Sequence, residues 1–380
     1  MAYEIDFIGV GDRSAQDADA ICFRWKTGQD YYGNPVYKIG VYDGGFEAHG
    51  EEMAKTLNQY YFDDPDNHKD ASKKVIDFVC VSHPDQDHTA GIKKILESFT
   101  VNKIYMNRPW LYTSELEPYL KDHRINLEKH LREAFPYIAD IEDVANEKGI
   151  PIAEAFEGTL IESNFRILSP TKEFFLKLVR ESDKTSLENI EGILEAIQRF
   201  AASAITKAKD VVLNLAESWT HEELRENVST SPENESSIVL LATIDGSRFL
   251  LTGDAGIRAL GKAIDYSENI GVSLKTEVKL YQVPHHGGRH NVSPSILNRL
   301  LGEIVSEGAA PTRNAIASVA KGSDHPYKMV SNAFLRRGVK VFPKKAAGTT
   351  INHHEGDMPQ RNWSSLESIP FSPVVEEWDD

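Results

Sequence analysis

Short runs of β-branched and aromatic residues, each closed by a cluster of Gly, Asp or Asn, dominate the first hundred residues. Tyr3–Val10, Ala20–Trp25 and Tyr37–Tyr42 follow this pattern and predict strands. Glu51–Tyr61 has helical spacing. Val75–Val81 (VIDFVCV) is a nearly continuous apolar run of strand length, as a central strand covered on both faces requires. It leads directly into the polar cluster Ser82–His88. Gly91–Phe99 then places apolar residues at i, i+3 and i+4, and Val101–Met106 returns to strand. The polar cluster therefore falls at the carboxyl end of a buried strand, where open α/β sheets bind their ligands.

Two stretches, about 114–147 and about 171–230, change character. They are rich in Leu, Glu, Lys and Ala and spaced helically, while Gly158–Ser169 between them alternates as a strand does. They predict helical insertions whose charge is a solvated face, and which fence a pocket or meet a second copy or a protein partner. Strand signals resume at Ile238–Ile244 and Arg248–Leu251, joined by the hairpin dipeptide Asp245-Gly246. Further strands are expected at Glu277–Val283, Ala315–Val319 and Val339–Phe342, with helices between them. The pattern predicts an α/β fold, two packed sheets with helices outside, over residues 1–355. The Pro/Ser-rich acidic tail, 356–380, is expected to be flexible.

Composition narrows the function. Apolar and aromatic residues make up 41% of the chain, enough for a large core, so disorder as a whole is excluded. The net charge is −16 and no block of Lys or Arg stands out, which argues against a broad basic face for phosphates. A phosphorylated substrate needs a local cation instead. Cys22 and Cys80 lie in apolar stretches and are expected to be buried thiols. The start of the chain lacks the pattern of a signal peptide, and no apolar run approaches the ~18 residues of a membrane span, so a cytoplasmic protein without a membrane role is expected.

The thirteen histidines are unevenly spread. His83 and His88 bracket Asp85 and Asp87 in Ser-His-Pro-Asp-Gln-Asp-His, which places four potential ligands in six residues. His285 and His286 are adjacent in Val-Pro-His-His-Gly-Gly, and Asp254 ends the apolar run Leu-Leu-Thr-Gly-Asp. Bare carboxylates this close repel and raise one another's pKa, and a divalent cation removes the conflict. Mixed His/Asp sets suit Zn²⁺, Mn²⁺ or Fe. The first cluster alone also fits an Asp-rich turn capping a helix, with both histidines on the surface. The three clusters together favour the metal.

This ordered set resembles the metallo-β-lactamase fold superfamily, and most closely the metallo-hydrolase domain of ComEC-type DNA-uptake proteins and its stand-alone relatives. Val41-Tyr42-Asp43-Gly44-Gly45, Asn234-Glu235-Ser236-Ser237 and Ser323-Asp324-His325-Pro326 resemble further motifs of that group. The resemblance implies a four-layer αββα sandwich of two mixed sheets and a pair of divalent ions, zinc or manganese. It implies His83 and Asp85 on one ion, Asp87 and His88 on the other, Asp254 between them, and His285 or His286 completing the second site, His285 aligning better. Asp43 is expected to orient the loop. The usual histidine between the first cluster and the bridging Asp is not evident, since His221 lies in a charge-rich helical stretch, and Asn234 or Ser236 is a candidate to fill in. Asp85, standing where a histidine is usual, hardens the site toward Mn²⁺ or Mg²⁺.

The function implied is hydrolysis of a phosphodiester in nucleic acid or nucleotides by a metal-activated hydroxide, with Asp87, Asp254 and His325 as catalytic residues. The alternatives are a hydrolase of lactones, thioesters or β-lactams, and a non-catalytic partner-binding module with a decayed site.

Overall fold

The computed structural model describes residues 2–62, 74–120, 124–185, 187, 214–344 and 350–378. Among these, two sheets of seven strands each carry the architecture. The first runs in the order Ile351–Glu355, Tyr3–Phe7, Ala20–Gln29, Pro35–Gly44, Phe78–Cys80, Ile104–Tyr105, Ile152–Ala153. The second runs Leu160–Ile161, Phe165–Ser169, Val239–Ile244, Ser247–Leu251, Leu280–Gln282, Arg313–Ala317, Val339–Pro343. Read in these orders, each sheet begins with three antiparallel pairings and ends with three parallel ones. The two sheets thus repeat one plan. The strands Pro35–Gly44 and Ser247–Leu251 are equivalent in it, as are Phe78–Cys80 and Leu280–Gln282.

The sheets pack face to face through an aromatic layer. Phe165 stands 5.2 Å from Phe23 and 4.8 Å from Trp25, and Tyr3 stands 5.1 Å from Phe249. Helices cover the outer faces: Glu47–Thr56, Ile92–Ser98 and Pro136–Lys148 on the first sheet, Ile257–Asn269, Pro294–Leu301 and Lys328–Arg336 on the second. The run VIDFVCV shows why the order is αββα. Phe78 and Cys80 enter the aromatic layer while Val79 and Val81 enter the helix layer, so every position of the strand is covered. The molecule is a four-layer αββα sandwich of two mixed sheets. Both cysteines are free and buried, and among the described residues no helix is long and apolar enough to cross a membrane.

One departure from the expected strands has an identifiable cause. The single strand expected over Val75–Val81 breaks at Asp77, whose N–H donates to the Ile39 carbonyl at 2.8 Å and whose carboxylate accepts from the Ile39 N–H at 2.9 Å. Val75–Ile76 accordingly pairs with Thr100–Val101 in a separate ribbon. The first insertion is helical, at Thr113–Leu116, Leu127–Ala134 and Pro136–Lys148. The second begins with the helix Lys172–Glu181, residues 188–213 lie outside the described residues, and Asn214–Ala216 is a strand.

The tail expected to be flexible is instead anchored. Val374–Glu376 pairs with Asn214–Ala216, and Val375 is fully buried. Trp378 donates its indole N–H to the Glu223 carbonyl at 2.9 Å. Arg361 reaches both oxygens of buried Asp6 at 2.9 Å, and Glu4 at 2.6 Å. Ion pairs and single aromatic anchors of this kind leave no periodic trace in a Pro/Ser-rich sequence. Removing one partner of a buried pair strands the other. Arg361→Ala is therefore expected to lower unfolding free energy by about 3 kcal/mol in urea titration, and an unchanged midpoint would contradict this anchoring role.

Candidate metal centre

The equivalent strands of the two sheets end at one edge of the sandwich, and their following residues meet there. Pro35–Gly44 delivers Asp43, Phe78–Cys80 delivers Ser82–His88, Ser247–Leu251 delivers Asp254, and Leu280–Gln282 delivers His285 and His286. Cross-sheet bonds hold the edge together: the Tyr42 hydroxyl donates to the Ile238 carbonyl at 2.7 Å, and the Ile238 N–H to the Ser82 carbonyl at 3.0 Å. Gly253 sits at the closest approach. Its φ is +51°, and a Cβ there would lie 2.9 Å from Ser82 Oγ and 3.1 Å from the Tyr42 hydroxyl, so glycine alone fits without strain.

Asp43 organises the first loop. It adopts φ 60°, rare for a residue with a side chain. Its carboxylate accepts the Ser82 N–H at 2.7 Å and the Ser82 hydroxyl at 2.6 Å, and faces His88 Nδ1 at 2.9 Å. With Nδ1 committed to Asp43, the Nε2 atom of His88 points the other way, toward Asp254 Oδ1 at 3.2 Å and Asp87 Oδ2 at 3.6 Å. Carboxylates behind imidazoles orient metal-binding histidines in this manner.

Asp254 lies at the middle of the group. Its Oδ1 is 4.0 Å from His286 Nε2, while its Oδ2 is 3.9 Å from His83 Nε2 and hydrogen-bonds His285 Nδ1. His286 Nε2 also lies 3.5 Å from Asp87 Oδ2, and its Nδ1 is 3.7 Å from Asp19 Oδ2. His83 Nε2 is 3.7 Å from Asp85 Oδ2. Donor atoms of Asp19, His88, Asp254 and His286 all lie within 4.8 Å of one another, and all four residues are buried. Ligands about 2.0–2.2 Å from one tetrahedral ion stand about 3.3–3.6 Å apart, so spacings of 3.2–4.0 Å among His88, Asp87, His286 and Asp254 Oδ1 suit a divalent cation.

The polar atoms themselves point the same way. Among the described residues, eighteen buried side-chain N or O atoms lack a hydrogen bond, and seven belong to this cluster: both oxygens of Asp19, Nε2 of His83 and of His88, Oδ1 of Asp254, and both ring nitrogens of His286. Buried polar groups are ordinarily satisfied. Seven converging exceptions, all capable of ligating, fit a divalent metal site.

The charges are mutually dependent. Burial would lower His88, but the carboxylates of Asp254, Asp87 and Asp43 outweigh it and hold the imidazole well above its usual range. His286, also opposed by burial, is pushed up to about 9 by Asp19 and Asp254. Asp254 would rise on burial, yet His285, His88 and His286 hold it well below the usual carboxylate range. For Asp43 burial prevails over His88, and its pKa is raised.

Consecutive left-handed residues, φ 47° at His285 and 57° at His286, turn the two histidines apart. His286 is buried within the Asp19/His88/Asp254 group, while His285, its side chain 32% exposed, stays at the rim on Asp254 Oδ2. The resemblance favours His285 as the ligand, whereas His286 is the one that lies within the Asp19, His88 and Asp254 group. Asn234 faces the Thr230 hydroxyl at 2.7 Å and His285 Nδ1 at 3.3 Å. The hydroxyl of Ser237 lies 3.4 Å from His83 Nδ1 and accepts the Asp254 N–H. The ring of His325 is 6.2 Å from that of His285, and its Nδ1 is 2.8 Å from Asp17 Oδ2. His221 is exposed and pairs with Glu223. Sequence reasoning missed Asp19 and Asp17. Both precede a strand in an Asp/Ala-rich segment that reads as an ordinary turn, and only the fold shows that Asp19 N–H bonds the Asp87 carbonyl and draws its side chain into the cluster.

No protein-family model matches this chain, and no curated protein matches it. Among solved structures, the metallo-β-lactamase SMB-1 bound to 2-mercaptoethanesulfonate aligns over 77% of this chain and 82% of its own, with 8% identity and a TM-score of 0.30. A β-lactamase domain protein from Burkholderia ambifaria aligns over 72% of this chain and 64% of its own, with 11% identity and a TM-score of 0.31. The fold assignment rests on the order and packing of the sheets themselves.

A raised folded-state pKa stabilises below the unfolded value and loses that contribution as pH rises through the folded one. For His286 the window runs from 6.5 to about 9. Protein kept in chelator is expected to lose up to about 3 kcal/mol of unfolding free energy across it, and His286→Gln is expected to flatten the profile. Urea titrations at stepped pH measure both, and a flat wild-type profile would contradict the charge assignment.

Proposed function

We propose that this chain is a metal-dependent hydrolase acting on phosphodiesters of nucleic acid or nucleotides. The observation that carries the proposal is the convergence of seven unsatisfied buried donor atoms, from Asp19, His83, His88, Asp254 and His286, at the carboxyl ends of two equivalent strand pairs. In this proposal Asp87, His88, His286 and Asp254 hold one divalent ion. His83, Asp85 and Asp254 would hold another. Manganese or zinc fits the mixed imidazole and carboxylate donors.

A divalent ion in this position supplies Lewis acidity, ionising water near neutral pH and neutralising phosphate oxygens. The chain's own groups do the rest. Asp43 and Ser82 fix the ring orientation of His88, while Asp19 Oδ2, 3.7 Å from His286 Nδ1, adds a carboxylate beside that ring. Both imidazoles hold a proton that an incoming ion must displace, so binding tightens as pH rises. His325, backed by Asp17, stands at the rim near His285, where it can hydrogen-bond a phosphate oxygen or pass a proton to the leaving oxygen. A phosphodiester fits the overall charge of −16 because the anion is attracted locally, without a basic face.

Asp87→Ala is expected to abolish Mn²⁺-dependent turnover of bis-p-nitrophenyl phosphate while circular dichroism stays unchanged. Asp254→Asn is expected to lower kcat more than about 100-fold with a smaller effect on KM. Turnover of nitrocefin but not of the diester would overturn the substrate class, and diester turnover indifferent to chelator would remove the metal.

A further inference from the structure

The two halves of the centre differ in one respect that the ligand pattern does not foretell. Lys184, just beyond the helix Lys172–Glu181 of the second insertion, donates from Nζ to Asp85 Oδ1 at 2.7 Å. The turn that carries it is fixed at several points. The Lys184 N–H bonds Ser182 Oγ at 3.1 Å, and Ser182 Oγ in turn bonds the Glu233 carboxylate, in the short helix before Val239–Ile244. Buried Thr185 donates to the Val179 carbonyl at 2.7 Å, and its own carbonyl meets His130 Nε2 of the first insertion at 2.6 Å. The backbone of Lys184 is therefore tied to the short helix bearing Asn234 and to both insertions, and its side chain, 46% exposed, is the part left to move.

Asp85 is the carboxylate that faces His83, whose Nε2 lies 3.7 Å from Asp85 Oδ2 and has no hydrogen bond. In this half, then, Asp85 already carries an ammonium and Asp254 Oδ2 already carries His285. The other half is different. Among the described residues no Lys or Arg lies within ion-pair distance of Asp19, Asp87 or Asp254; buried Lys344 acts on Asp19 only at longer range, its Nζ committed to the Ile8 and Ala18 carbonyls.

We propose that Lys184 is a resident counter-cation for Asp85 that makes the two halves unequal metal sites, weakening divalent-ion binding in the His83 half and leaving the His88–His286 half untouched. The proposal rests on the metal centre described above. An ion entering the His83 half shares Asp85 with a second cation or displaces it, and whatever the ion pair contributes is given up on loading. Because the pair is half-exposed, the coupling is modest, about two- to tenfold in affinity.

The test is titration of the metal-stripped full chain with Mn²⁺ alone, by calorimetry with a competing chelator. The wild type is expected to bind in two unequal steps. Lys184→Ala and Lys184→Gln are expected to tighten only the weaker step, by about two- to tenfold, and Lys184→Arg to keep the wild-type values. Asp85→Asn is expected to remove the weaker step. Lys184 variants that leave both steps unchanged, or shift both alike, would overturn the proposal. So would a wild type that binds one ion regardless of Asp85. Absence of any binding step, with His286→Ala no different from wild type, would instead sink the metal centre itself.

Discussion

Burying ionisable groups is costly unless each meets an opposite charge, and this protein places a chain of them at one edge of its two sheets. Asp254 is the group on which that edge depends. Fully enclosed, it is held as an anion by His285, His88 and His286 around it, while His88 and His286 are held protonated by Asp254, Asp87, Asp43 and Asp19. The arrangement is closed in charge but unsatisfied in hydrogen bonds. Such a cluster is destabilising as bare packing, and it gains from a cation that takes up several donors together.

The sandwich was legible because its strands are covered on both sides and say so in sequence. Continuous apolar runs such as VIDFVCV, the Asp-Gly hairpin and the polar clusters closing three strands gave the layers and the edge where chemistry belongs. The helices of the first insertion followed from their spacing. The break at Asp77 did not, because it depends on a side chain reaching the backbone of a strand from a remote part of the chain. The edge strand Ile351–Glu355 was hidden too. Its sequence INHHE offers a single apolar residue, Ile351, to the aromatic layer, and Asn352 is matched to Glu4 and Asp6 on the strand beside it.

At the site, the motifs brought His83, Asp87, His88 and Asp254 to notice, and the fold gathers them. Local spacing carries no information about which of two adjacent histidines turns inward. That is decided by two successive left-handed residues after Leu280–Gln282, and they send His286 in and His285 to the rim. Asp19 and Lys184 carry no motif at all. One enters through a backbone bond to Asp87, the other on a turn built from an insertion, so both belong to tertiary structure rather than pattern.

The first sheet is closed by Ile351–Glu355 lying against Tyr3–Phe7, so the latter strand waits for a partner made more than three hundred residues later. During ribosomal synthesis the early strands emerge with an open edge and with half of their polar cluster, while Asp254 and His286 have yet to be made. Contacts spanning more than three hundred residues are slow to form and leave strand edges exposed meanwhile. The first sheet is therefore completed, and its polar cluster closed, only after the strands of the second sheet have been synthesised.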